Sequence, residues 1–497
     1  MRIPVLSAIL ALSATFSPVL GQSVRPDQCL ECHQALGDPP VELFANDVHL
    51  QKGISCADCH GGDPTQEDME ESMSSKAGFR GVMKGDDISA VCGSCHSSTE
   101  TMRRFGSRLS TDQFALLELS VHGQQGVSGE ASILQCTSCH SAHGVVPVDH
   151  PSSRVYPLNI VATCSACHSN ASYMQRYNPA LPVDQLDKYR TSVHGKRNGK
   201  GDPNVAECAS CHGGHDIRPA GDVKSRVYAT NIPAMCAECH GDEGTMGPYG
   251  IATDQYEEFR QSVHGVALLE KADLAAPACN DCHGNHGAIP PGVASISKVC
   301  GTCHVLNADL FAQSPHELGF AELGLPECET CHGNHAIIAA TDQLLGVDEE
   351  AVCSQCHSET DRPEGYAVAH MMRQLIDSLE TETETAGLLI EEAEQKGMEV
   401  TEPKYKLREA RQVRFESRTM VHSFDGEQFT EVVEKGLKTA SDVKQEAAAA
   451  IGEYHYRRTG LGVATLIITI LAISLYLYLR KIEKRPRERG HAGTSTQ

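Results

Sequence analysis

The sequence Cys-x-x-Cys-His occurs eleven times between residues 29 and 357. The copies are Cys29-Cys32-His33, Cys56-Cys59-His60, Cys92-Cys95-His96, Cys136-Cys139-His140, Cys164-Cys167-His168 and Cys208-Cys211-His212. Cys236-Cys239-His240, Cys279-Cys282-His283, Cys300-Cys303-His304, Cys328-Cys331-His332 and Cys353-Cys356-His357 complete the set. Each supplies two thiols that can add to the vinyl groups of a haem and a histidine that can ligate its iron. Zinc knuckles also use Cys-x-x-Cys, but zinc makes no demand on the following residue. With 25 histidines in 497 residues, eleven hits in eleven are not coincidence. A disulfide framework would not repeat one spacing, and all 22 cysteines are already inside the motifs. The expectation is eleven covalently attached c-type haems.

This cofactor load explains an odd composition. There is no Trp, aromatic residues are 5 %, and apolar residues are not concentrated between the motifs. Such a chain would struggle to close a conventional core at this length. Porphyrin faces would supply the missing apolar surface. The expected fold is mostly α and irregular, wrapped around stacked haems with few or no strands, followed by a long helical bundle and one transmembrane helix.

Both ends carry membrane signals. Arg2 and the apolar run Ile3 to Phe16 read as a signal peptide over residues 1–21, cleaved near Gln22. Thr459 to Leu479 is 21 residues without a charge, long enough to span a bilayer as a helix. Arg457 and Arg458 precede it; Arg480, Lys481, Lys484, Arg485, Arg487 and Arg489 follow. The basic tail, 481–497, is therefore expected in the cytoplasm, with the cysteine-rich part on the periplasmic face of the inner membrane. The full division is 22–360 for the haem domain, 361–456 for a helical extension and 457–480 for the span. The net charge of −23 argues against nucleic acid as a partner. It suits docking to basic patches on redox proteins, and equally simple solubility.

An internal repeat runs between the motifs. A lone histidine opens each unit, in Ser-Val-His-Gly at His122, His194 and His264 and in Ser-Pro-His-Glu at His316. After 12 to 15 residues comes an extended motif, Cys-x-x-Cys-His-x-x-His, adding His143, His215, His286 and His335. A plain motif closes the unit. Ser153-Arg-Val-Tyr-Pro-Leu-Asn-Ile160 parallels Ser225-Arg-Val-Tyr-Ala-Thr-Asn-Ile232. A degenerate unit precedes these, with His49 ahead of Cys56, and Cys29 begins an unpaired motif.

The extra histidines matter because each motif fills only one of two axial positions on iron. A second imidazole gives a six-coordinate iron suited to electron transfer, whereas an open position suits substrate chemistry. His49, His122, His194, His264 and His316, with His143, His215, His286 and His335, are nine expected distal ligands. His370 and His422 are chosen to complete eleven, leaving His150, His455 and His491 over. No residue is expected to be catalytic in the acid–base sense.

After His357 the cysteines stop. Met372, Leu375, Ile376, Leu379, Ala386, Leu389 and Ala393 keep helical spacing, with Gly397 as a stop. A second helix opens at Pro403 and breaks at Asp425-Gly426; a third runs from Phe429 towards Tyr454 and can continue into the span.

The repeating Ser-Val-His-Gly, Cys-x-x-Cys-His-Gly-x-His and Cys-x-x-Cys-His order resembles the bis-histidine haem-pair module of bacterial periplasmic multihaem cytochromes c, over roughly residues 29 to 357. The tail, with Val421-His-Ser-Phe424, is similar to C-terminal extensions of membrane-attached members and to helices of hydroxylamine oxidoreductase-like octahaem enzymes. The chain differs from tetrahaem quinol dehydrogenases in its C-terminal anchor and larger motif number. It also lacks the Cys-x-x-Cys-Lys motif of pentahaem nitrite reductases. The resemblance implies electron transfer in anaerobic respiration. Expected partners are a membrane quinol-oxidising subunit and periplasmic cytochromes, with a place in an oligomer or larger complex open. The competing reading is an oxidoreductase with one open haem acting on a small nitrogen or sulfur compound.

Overall fold

A computed structural model describes residues 27–124, 133–289 and 297–484. The expected signal peptide, residues 1–21, and the tail from residue 485, including Arg485, Arg487, Arg489 and His491, lie outside them. Among the described residues the secondary structure is helical, with no strand. Two compact units divide the chain: 1–256 with 272–290, and 257–271 with 291–497. The first holds motifs one to eight; the second holds motifs nine to eleven together with the helical extension.

The first motif of a repeat unit forms an isolated helical turn, as at Cys56–His60, Cys136–His140, Cys208–His212 and Cys279–His283. One turn is marginal alone because nucleation is costly. Here it is closed by the residue before the second cysteine. Asp58 accepts from the Ser55 N–H at 2.6 Å, Ser138 from Gln135 at 3.1 Å, Ser210 from Glu207 at 3.2 Å and Asp281 from Ala278 at 2.7 Å. This back-bond satisfies a donor that a helix start leaves orphaned. The chain then leaves each turn in an extended conformation with positive φ, at Gly61, Ser141, Gly213 and Gly284. Glycine at three of the four places avoids the Cβ clash.

The second motif of a unit instead ends a longer helix, as in Asp86–His96, Pro157–His168 and Ile232–His240. The octapeptide shared by two units has a physical role. Asn159 donates to the carbonyls of Pro151 and Ser153 at 2.8 and 2.7 Å, and Asn231 to those of Val223 and Ser225 at 2.9 and 2.8 Å. Each asparagine ties the approach loop to the helix that carries the motif.

The two clusters of buried apolar side chains centre on the extension. Helices α1 (Pro363–Gln395), α2 (Thr401–Met420) and α3 (Gly426–Glu483) pack together around Met372, Ile376, Leu379, Phe429 and Val433, and around Ala386, Ile390, Val443 and Ala447. Gly397 takes φ +75° just beyond α1, as a helix stop requires. With 58 residues, α3 is about 87 Å long at about 1.5 Å per residue, and it runs without a break into the apolar stretch. That stretch is the one candidate membrane-spanning helix among the described residues, and its side chains are exposed. A soluble core helix of that composition would be buried.

Candidate haem-binding sites

Among the described residues, nine motif histidines face a second imidazole of the same compact unit. The pairs are His96 with His49, His60 with His143, His168 with His122, His140 with His215, His240 with His194 and His212 with His286. His304 faces His264, His357 faces His316 and His332 faces His422. Ring centres lie from 5.9 to 6.2 Å apart. One iron bonded to two imidazoles at about 2 Å each separates the ring centres by roughly this amount. Contact between bare rings would not recur at that gap nine times. The residues fit the cofactor.

The pairs obey a rule. A lone histidine faces the second motif of its own unit, whereas an extended-motif histidine faces the first motif of the unit before. The imidazole planes follow the same division. Extended-type pairs and the His332–His422 pair are nearly parallel, at 10° to 21°. Lone-type pairs cross at 32° to 86°.

Backbone bonds set the lone histidines in place. The N–H before the histidine donates to the carbonyl two residues beyond an extended-type histidine: Val48 to Val145 at 2.8 Å, Val121 to Ile217 at 2.9 Å, Val193 to Ala288 and Val263 to Ile337 at 3.0 Å. Pro315 has no N–H to give. There the equivalent residue is Phe424, two beyond His422, and its ring packs on His316 at 3.9 Å. The tail thus takes the place that a further repeat unit would occupy. Burial pulls the His122 and His316 rings down to about 4, helped by His168 and His357 respectively. A ring kept neutral is one free to ligate iron.

Neighbouring attachment sites touch. The Cys92 sulfur is in hydrogen-bonding reach of Cys136, Cys164 of Cys208, Cys236 of Cys279 and Cys300 of Cys328. In the intervening steps Cys29 acts electrostatically on Cys56, Cys95 on Cys59, Cys167 on Cys139, Cys236 on Cys211 and Cys353 on Cys331. Motifs one to eight therefore adjoin in sequence order in one unit, and nine to eleven in the other.

The other ligand expected from the extension, His370, sits differently. His370 is exposed and stacks on Tyr366 at 6.2 Å; among the described residues no motif histidine faces it. Its neighbours Ala369 and Met372 take the buried face of α1, which turns position 370 outward. His335 lies 3.9 Å from the Glu258 carboxylate. His33 meets a carboxylate, with Nδ1 2.6 Å from Asp38. Two residues outside the expected ligand set, Gly365 and Asp47, also shape the sites. A Cβ at Gly365 would lie 2.1 Å from the His357 ring, so only glycine leaves that ring its place. Asp47 is hydrogen-bonded to His49, and its signal was its register two residues ahead of a lone histidine.

Three families match parts of the chain: Cytochrome c3 over residues 48–169, Doubled CXXCH motif over 323–362, and Cytochrome c554 and c-prime over 13–61. The protein is a multihaem c-type cytochrome. Together with the repeated motifs, these matches support binding of haem c. This cytochrome is 24% identical over 214 residues to the C-type polyheme cytochrome OmcC of Geobacter sulfurreducens, covering 38% of this chain and 26% of that protein. The chain thus spans about a quarter of the length of the curated relative it matches. No solved structure matches it.

Proposed function

We propose that this cytochrome is a membrane-anchored relay that passes single electrons between a quinol-linked partner in the inner membrane and periplasmic or outer acceptors. The observation that carries the reading is the adjacency of successive attachment sites within each of the two units, nine of them with an imidazole on either side of the iron position. Haem supplies the redox chemistry; the chain holds the haems close and fixes their ligands. The candidate span and its basic flank support anchoring with the haems outside and the tail in the cytoplasm. The motif count gives eleven haems.

The test is spectroscopic. The oxidised full-length holoprotein is expected to contain eleven haems per chain by pyridine haemochrome assay. Its paramagnetic resonance spectrum should be dominated by low-spin iron in two families, one from near-parallel and one from crossed imidazoles. Flash reduction should be followed by equilibration among haems within milliseconds. A mainly high-spin spectrum, or haems that fail to equilibrate, would defeat the relay.

One observation favours a second reading for one site. The His33 ring is held by Asp38, and no imidazole faces it among the described residues. A carboxylate behind a ligating histidine raises its basicity, an arrangement suited to a haem that binds a small molecule. On this reading carbon monoxide binds one reduced haem per chain, and Asp38→Asn weakens that binding. No carbon monoxide uptake would leave the relay alone.

A further inference from the structure

Five lone histidines follow, two residues on, a buried side chain: Asp47, Ser120, Ser192, Ser262 and Ser314 are each between 0% and 6% exposed. In four units that residue is serine, and its hydroxyl accepts backbone N–H bonds at the start of the histidine helix. Ser192 Oγ, for example, accepts from Gly195 at 2.8 Å. Only the first unit has a carboxylate there.

Asp47 does the work of the serine and more. Its Oδ1 accepts from the His49 backbone N–H at 2.9 Å, the bond that Ser120 and Ser314 accept from His122 and His316. The same oxygen lies 2.8 Å from His49 Nδ1, and Oδ2 accepts from the Val145 N–H at 2.8 Å. Val48 N–H returns a bond to the Val145 carbonyl, which locks the carboxylate in register with the segment that follows His143. Its charge also acts on the His143 ring and on Cys59, which belong to the preceding haem. Asp47 is therefore placed between the ligands of motifs two and three.

We propose that Asp47 is a positioning residue that lowers the reduction potential of the haem held by His96 and His49, and to a smaller degree that of the haem held by His60 and His143. The physical reason is charge. Ferric haem carries one more positive charge than ferrous haem, and a buried carboxylate stabilises the more positive state. A carboxylate accepting the Nδ1 proton also strengthens the imidazole as a donor to iron. Units that carry serine lack both effects. Electrons in the first unit then sit uphill of those in the serine units, which gives the chain a direction.

This inference rests on His49 and His96 being iron ligands, and the experiment separates the two questions. Potentiometric titrations of full-length holoprotein, followed by paramagnetic resonance, compare wild type with Asp47→Ser, Asp47→Asn and His49→Ala. His49→Ala is expected to turn one haem high-spin; unchanged low-spin signals there would overturn the ligand reading itself. Asp47→Ser preserves the cap that the other units use. It is expected to keep all haems low-spin and to shift one crossed-pair haem positive. At the potential where that haem is half reduced in wild type, its reduced-to-oxidised ratio should rise about tenfold, equivalent to about 59 mV for one electron. Asp47→Asn should move it in the same direction. The reciprocal Ser192→Asp should shift the haem of His240 negative, which keeps the idea testable if an Asp47 variant loses haem. Low-spin Asp47 variants with unmoved titration curves, or no response to Ser192→Asp, would overturn the proposal.

Discussion

Replacing His422 by alanine is expected to convert one haem from low to high spin and to give it an affinity for carbon monoxide that wild type lacks at that site. The His422 ring lies 6.1 Å from His332, nearly parallel to it, with Nδ1 bonded to the Thr419 carbonyl at 3.0 Å. That bond points Nε2 at the iron position, the usual way a second contact fixes which nitrogen ligates. Burial holds the ring's pKa below its ordinary value. His370→Ala provides the contrast, because that ring is exposed and faces Tyr366. It should leave every haem spectrum unchanged. Equal effects from the two substitutions, or none from His422→Ala, would show that the tail does not cap the haem of His332.

These two histidines mark how far the sequence could be read. Motifs and lone histidines were legible because covalent attachment and axial ligation demand fixed residue types at fixed spacing. The helices of the extension were legible too: apolar positions such as Met372, Ile376 and Leu379 recur at helical intervals and do form the buried face of α1. Which histidine faces which motif was not legible. His143 lies three residues from His140 yet faces His60, because the turn at Ser141 sends it away from its own motif. Nor could spacing separate His370 from His422, since neither lies in a repeat. Packing decides it: α1 buries the positions beside His370, whereas His422 sits on the short turn between α2 and α3, which projects it towards motif ten. Asp47 was hidden for another reason. A substitution of serine by aspartate in a degenerate unit looks like drift until both oxygens are seen to be bonded.

Removing the Asp342 carboxylate is expected to destabilise the second unit by about 3 kcal/mol, the scale for breaking a largely buried ion pair. Asp342 is 9% exposed and lies on the segment between motifs ten and eleven. It accepts from Arg418 Nε at 2.7 Å and from Arg414 Nε at 3.1 Å, both on α2. Its own carbonyl accepts from Arg373 of α1 at 2.9 Å. One residue thus ties the haem-bearing segment to two helices of the bundle, a turn away from His422. Burial works to raise the Asp342 carboxyl, but Arg418 and Arg414 outweigh it and hold it below the usual range. The sign follows from that depression. The contribution is complete above the unfolded carboxyl value of about 4 and is lost as pH falls through the lower folded value. Denaturant midpoints of holoprotein should therefore separate wild type from Asp342→Ala at neutral pH and converge in acid. The haem of His332 should also show partial high-spin character in Asp342→Ala, because loosening α2 frees the turn that carries His422. A variant as stable as wild type at pH 7, with that haem fully low-spin, would mean that the apolar packing around Phe429 and Leu379 alone holds the bundle to its haems.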